Sequence, residues 1–313
     1  MAYTITTKDL RKAFGRVVAV DNLNLQIPKG AIFGLLGPNG AGKSTTFGIL
    51  AGWLIPDSGH ATVLDTPSHK LHRLGGRVAA LPQDALFPPQ IEVGAQLAHF
   101  ARLMGMSGTD AQNAAQQALK RVSLQDIQHR RGSELSHGMN KRVGIAQTLL
   151  GNPEVIFLDE PTAGLDPNSA REIKDLISSL SPQATLVVSS HNLSEIQEVC
   201  THGAIMDHGR VTISGTIEDL TRQTGEITVE IKKGHSLPLV ELRRAFGEDN
   251  IHLLESSQEL DLLRITFSSK QEISEVISSA LKILLEAGTP ILGVRRGTSL
   301  ESAFIELTRS SPT

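Results

Sequence analysis

Gly37-Pro38-Asn39-Gly40-Ala41-Gly42-Lys43-Ser44-Thr45 is the stretch whose reading decides the fold. It matches G-x-x-x-x-G-K-[ST], a loop that cradles phosphates. Gly37, Gly40 and Gly42 let the backbone wrap tightly, so that its N–H groups point at a β-phosphate. A helix after the loop adds its positive N-terminal end. Lys43 is placed to reach the β- and γ-phosphates, and the Ser44 hydroxyl to ligate Mg²⁺. The context agrees, because the apolar run at 32–36 reads as a buried strand and 45–54 reads as a helix. Four fixed positions arise by chance in roughly one per cent of chains this long, so an ordinary glycine turn is set aside.

Outward from the loop, 3–7, 17–20 and 23–27 read as strands before it. After it, 93–104, 111–122 and 139–150 read as helices, and 155–158 and 185–189 as short apolar strands of a buried parallel sheet. Residues 84–150 carry almost no strand signal, so a helical subdomain is expected there. A boundary is expected at 224/225, giving a domain at 1–224 and an accessory one at 225–313. The latter reads as strand 227–232, helix 239–246, strands 251–255 and 261–267, a long helix, and strand 291–295. Ile273, Val276, Ile277, Ala280, Leu281, Leu284 and Leu285 put one apolar face on that helix. The order βαββαβ is ferredoxin-like, with a last short helix at 300–307. The fold expected is thus α/β: a P-loop core with an antiparallel β flank and a helical subdomain, plus a small C-terminal α+β domain.

Hydrophobic content of 40% and charged content of 20% are those of an ordinary globular protein. The net charge of -3 lacks the basic footprint of a nucleic-acid binder, so no nucleic-acid partner is expected. The single cysteine, Cys200, excludes an internal disulfide and reads as a buried structural thiol. Met1-Ala2-Tyr3-Thr4 leads into a strand-like segment, and the apolar runs fall short of the roughly 18–20 residues of a membrane span. A soluble protein, held at any membrane by something else, is expected. His69 and His72 lack a third ligand at metal-binding spacing and read as surface residues.

Val155-Ile156-Phe157-Leu158-Asp159-Glu160 is an apolar strand ending in two carboxylates. Asp159 suits a Mg²⁺ shell, and Glu160 is placed to act as general base on a water in line with the γ-phosphate. Leu135-Ser136-His137-Gly138-Met139 shortly precedes that pair at the start of a helix. With it, the chain resembles an ABC-type ATPase over about residues 1–220. Ser136 and Gly138 fit that family's LSGGQ signature, whereas His137 stands for a glycine and Met139 for a glutamine. The resemblance assigns Gln83 to the Q-loop, touching Mg²⁺ or the attacking water, and Asp166 to the D-loop at a dimer interface. It makes His191 the switch histidine on the γ-phosphate and Phe14 the aromatic stacked on adenine. Kinases and GTPases share the P-loop, but Asn140-Lys141-Arg142-Val143 lacks the carboxylate of a guanine-reading motif.

What the resemblance implies is a subunit that binds and hydrolyses ATP with Mg²⁺. ATP is sandwiched between the P-loop of one copy and Ser136 and Gly138 of another, in a homodimer or a heterodimer with a related subunit. A separate transmembrane permease carries the cargo and holds the ATPase on the cytoplasmic face of the membrane. Residues 297–308 are similar to the ending of drug, sodium and polysaccharide exporter ATPases, which implies export. The alternatives are a soluble ABC-fold ATPase with a non-membrane partner, or a regulatory cassette with weak turnover.

Overall fold

The computed structural model describes residues 2–85, 87–181, 183–222, 225–254, 260–267 and 271–296. The expected helix at 300–307 and the exporter-like ending at 297–308 lie outside the described residues. Two compact units divide the chain, Met1–Thr216 and Ile217–Thr313. The division falls at the end of a strand, a short helix earlier than the expected 224/225 boundary.

In the first unit the elements run β1 (Tyr3–Phe14), β2 (Val17–Pro28), β3 (Ile32–Leu36), α1 (Lys43–Leu50), β4 (Ser58–Val63), β5 (Thr66–Pro67) and β6 (Val78–Leu81). There follow α2 (Val93–Leu103), α3 (Gly108–Arg121), α4 (His137–Thr148), β7 (Val155–Asp159), α5 (Pro167–Leu180), β8 (Thr185–Ser190), α6 (Leu193–Val199), β9 (His202–Asp207) and β10 (Arg210–Thr216). One sheet has the order β2-β1-β4-β5 and is antiparallel. The other has the order β10-β9-β3-β8-β7-β6, parallel except at β10. Every residue of β3, β7 and β8 is buried, as befits strands covered on both faces. Phe47 of α1 joins the two sheets in one core, edge-on to Phe157 at 5.5 Å.

Several boundaries depart from expectation for local reasons. Helix α1 stops at Leu50, not 54, because Gly52 turns the chain at φ 80° and Trp53 N–H returns to the Gly48 carbonyl. Helices α3 and α4 begin earlier than expected because serines cap them: Ser107 Oγ accepts from Asp110 N–H and Ser136 Oγ from Met139 N–H, both at 3.2 Å. Strand β1 runs to Phe14 through register shifts that hide its second half from an alternation test.

The second unit carries α7 (Ile217–Arg222), β11 (Gly225–Lys232), α8 (Leu239–Phe246), β12 (Ile251–Leu254), β13 (Leu260–Phe267), α9 (Ile273–Glu286) and β14 (Ile291–Arg296). Its sheet has the antiparallel order β12-β13-β11-β14, which is the βαββαβ topology. Ile227, Val229 and Ile231 of β11 pack with Leu263 and Ile265 of β13 against Leu242 of α8 and Val276, Ala280 and Leu284 of α9. Each fully buried Val, Leu or Ile contributes about 1.5–3 kcal/mol, so this unit has a core of its own.

Cys200 is 8% exposed, and burial pushes its thiol up to about 12. A buried thiol of that kind is inert. The native protein is expected to resist an aromatic disulfide reagent at pH 8 and to release one thiol only on unfolding. Prompt reaction of the folded protein would contradict the burial.

Candidate functional site

Four adjacent parallel strands, in the order β3-β8-β7-β6, end at one edge of the larger sheet. In register, Leu36 pairs with Ser190, Asp159 with Ser189, and Leu81 with Leu158. The segments leaving those ends begin with Gly37, His191, Glu160 and the Pro82-Gln83 turn. Residues from four distant parts of the sequence therefore converge at the carboxyl ends of the strands, where open α/β sheets bind ligands.

The loop after β3 is shaped for phosphate. Gly42 takes φ 96° as the N-cap of α1 and offers no side-chain cap, leaving the first-turn N–H groups for an anion. A Cβ on Gly42 would stand 2.2 Å from the Ala19 carbonyl oxygen, so only glycine fits this close approach. The loop is tied down on both sides, with Ala41 N–H donating to the Pro38 carbonyl and Gly209 N–H to the Ala41 carbonyl. Pro38, Asn39 and Gly40 at its crest are exposed. Lys43 is 5% exposed, and its Nζ donates to the Gly37 and Pro38 carbonyls at 2.8 and 3.1 Å. Burial holds its ammonium below the usual lysine value, opposed by the charges of Glu160 and Asp159. A buried cation hydrogen-bonded to carbonyls of its own loop is what a phosphate would relieve.

Ser189 of β8 ties down the Asp159 carboxylate and the Glu160 backbone. Its Oγ donates to Asp159 Oδ1 and accepts from Glu160 N–H at 2.9 Å. Glu160 sits at φ 44°, a strained conformation for a non-glycine residue. Its side chain is 12% exposed, and its Oε2 lies 3.0 Å from His191 Nδ1. In the sequence Ser189 is one residue of the apolar run 185–189. Its role comes from the β7–β8 register.

Residues 20–163 match the profile of the family described as ABC transporter. Nod factor export ATP-binding protein I of Cupriavidus metallidurans is 30% identical over 321 residues, covering 98% of this chain and 98% of that protein. Daunorubicin/doxorubicin resistance ATP-binding protein DrrA of Streptomyces peucetius is also 30% identical, over 97% of this chain and 92% of its own. The chain belongs to the ABC transporter family, as an ATP-binding subunit. The solved structure of cbiO1 from Clostridium perfringens, part of the ABC transporter complex cbiONQ, is 28% identical, with a TM-score of 0.64 over 70% of this chain and 91% of that one. The chain is an ATPase of that family.

Other residues of this ABC ATPase lie outside the strand-end cluster. Phe14, 50% exposed, stands at the tip of the β1–β2 hairpin, the same hairpin whose Ala19 abuts Gly42. Lys12 Nζ lies 5.6 Å from its ring centroid. Ser136 and Gly138 open α4, with Gly138 buried against Ser169 of α5. Asp166 caps α5, accepting from the N–H groups of Asn168 and Ser169 at 3.1 Å and from Ser169 Oγ at 2.7 Å. Those bonds, led by the Ser169 hydroxyl, hold its carboxyl below the usual range. Among the described residues no hydrogen bond or ion pair joins residues 136–139 to residues 37–45. Lys141 donates from Nζ to the Gln83 carbonyl at 2.7 Å. A pocket of about 350 Å³ beside that bond is lined by Gln83, Asp84, His137, Lys141 and Gly164. His69 and His72 are exposed.

Among the described residues no three His, Cys, Asp or Glu side chains gather as a metal cage. Mg²⁺ needs no such cage, since it binds through one or two protein oxygens plus phosphates and water. Asp159, 8% exposed, and Ser44, on the first turn of α1, fit that donor set. Burial raises the Asp159 carboxyl above the usual carboxylate range, against the Ser189 hydrogen bond and the charges of Lys43 and Lys141, with Glu160 adding to the rise. A carboxyl raised on folding stabilises the protein below its unfolded value, and that stability is lost as pH climbs through the folded value. Ionising Asp159 therefore costs the nucleotide-free protein stability. Asp159→Asn, which keeps an oxygen for Ser189, is expected to raise the Tm of that form by a few degrees at pH 7 while abolishing ATPase activity. Calorimetry without nucleotide checks it; an unchanged or lower Tm goes against it.

Proposed function

We propose that this subunit works in a head-to-tail pair, with itself or a related subunit, that closes on ATP and drives export through a separate transmembrane permease. Residues 37–45 of one copy and 136–138 of the other embrace each nucleotide, with Phe14 against the adenine and Asp166 at the seam. Mg²⁺, held by Ser44, Asp159 and Gln83 with the phosphates, would supply charge neutralisation of the β- and γ-oxygens. Glu160 takes the proton of the attacking water, and His191 steadies that carboxylate while reaching the γ-phosphate. Lys43 leaves its carbonyls for the phosphates and meets the charge that builds on them. Residues 1–224 do this work and 225–313 are accessory to it.

The observation that carries the reading is the convergence of Lys43, Asp159, Glu160 and His191 at one sheet edge. The incomplete joining of Ser136 to that edge within one chain supports a pair. Export is supported by two relatives, named for export and for drug resistance, that match nearly the whole chain, second unit included. No helix among the described residues is long and apolar enough to cross a membrane; in this reading the permease is another chain, with the ATPase on its cytoplasmic face. Affinity purification of the tagged protein from detergent-solubilised membranes is expected to recover a protein of several membrane spans. Recovery of ribosomes or DNA in its place would favour a non-membrane partner.

A further inference from the structure

One residue of α6 ties together the two loops that carry Glu160 and His191. Glu195 Oε2 accepts from Thr162 Oγ1 at 2.7 Å and, more weakly, from Ser190 Oγ at 3.4 Å. Thr162 lies just past Glu160, and Ser190 immediately precedes His191. Ser190 Oγ also accepts from Asn192 N–H at 2.9 Å, and Asn192 Oδ1 accepts from Ser194 and Glu195 N–H at 3.1 and 3.3 Å. His191 is thus enclosed by bonded neighbours on both sides, and the enclosure closes on Glu195. On the far side, Glu160 N–H is held by Ser189 Oγ. A backbone strained as Glu160 is persists only where its surroundings over-determine it.

We infer that Glu195 is a positioning residue for ATP hydrolysis. By holding the Thr162 turn and the Ser190 loop to one carboxylate oxygen, it sets the 3.0 Å approach of His191 Nδ1 to Glu160 Oε2. It acts through these two residues and does not itself meet the water or the phosphates. The inference rests on the reading of Glu160 as the base. Hydroxyl bonds to a carboxylate are the strong kind, and the acceptor's charge is what makes them so. The simpler role of an acid in a first helical turn is its favourable interaction with the helix dipole. That role affects folding alone, so the two separate experimentally.

The test uses the full-length protein carrying Glu195→Ala, Glu195→Gln, Thr162→Val or Glu195→Ala with Thr162→Val. Misplacement of a reacting group by an ångström costs about a hundredfold, so Glu195→Ala is expected to lower kcat by roughly ten- to a hundredfold. KM for ATP should stay close to the parent, while the Tm falls by a few degrees as the hydroxyl bonds are lost. Glu195→Gln, which retains an acceptor oxygen, should recover most of the rate. Thr162→Val should reproduce the loss, and the double variant should be no slower. Thr162→Val leaves the α6 cap intact, so it decides the matter even if Glu195→Ala fails to fold. Unchanged kcat in Glu195→Ala and Thr162→Val, with Glu160→Gln inactive, overturns the inference alone. Loss of ATP affinity and Tm in step with kcat overturns it in favour of the structural role. Turnover retained in Glu160→Gln removes the base reading and the inference with it.

Discussion

Glu160→Gln is expected to lower the ATPase rate by about 10²- to 10⁴-fold, the range a general base contributes, while leaving ATP binding intact. The substitution keeps shape and an oxygen toward His191 Nδ1, now 3.0 Å from the carboxylate, and removes only the ability to take a proton. It touches none of the phosphate-loop contacts, which run from Lys43 and the first turn of α1. A fall in kcat with an unchanged Kd for ATP separates the base from the binding machinery. Equal losses of rate and affinity would assign Glu160 to binding; a near-normal rate would take it out of the chemistry.

Gly42→Ala has the second-largest expected effect, and acts by geometry. The new methyl would sit 2.2 Å from the Ala19 carbonyl oxygen, a backbone atom that moves only if β2 moves. The position also demands φ 96°. Backbone of this kind costs a side chain of order 1–3 kcal/mol before the overlap is counted. Because Gly42 is the N-cap of α1, any shift misdirects the N–H groups aimed at phosphate. Loss of ATP binding is expected, with a Tm lower by several degrees. Gly40→Ala is the control, since Gly40 has φ 86° but nothing within 4 Å of a Cβ, so it should keep a folded, weakened binder. Titration of a fluorescent ATP analogue into both variants checks this. Equal affinities in the two would mean that Ala19 does not confine the loop.

The parts of this molecule legible in the sequence were those with one dominant physical signal. Strands β3, β7 and β8 are buried on both faces and read as unbroken apolar runs. The βαββαβ order of the second unit was legible because β11 and β13 alternate and α9 has one apolar face. Helix α5, absent from the expected elements, has Ile173, Leu176, Ile177 and Leu180 at helical spacing behind an Asp166-Pro167 start. Asp166 caps that helix through the Asn168 and Ser169 N–H groups. The second half of β1 was not legible, since register shifts interrupt its alternation near Asp9, at φ 49°.

The site followed the same division. Lys43, Asp159, Glu160 and His191 announce themselves by motif, and the structure brings them to one edge. Ser189 and Glu195 do not, because their partners are far away in sequence and meet only through strand register and the packing of α6. Nothing in a serine within an apolar strand, or an acid in a first helical turn, marks it beforehand. Lys141 was visible as a basic residue in the signature helix, but its bond to the Gln83 carbonyl is tertiary.

The measurement that tests the composite ATP site most directly is sedimentation velocity on Glu160→Gln with and without ATP. Without nucleotide the variant should run as a monomer. With ATP it should run as a dimer holding one nucleotide per chain, and Ser136→Arg, placed at the exposed start of α4, should return it to a monomer that still binds ATP. A monomer that binds ATP without pairing at any concentration would contradict the site shared between two copies.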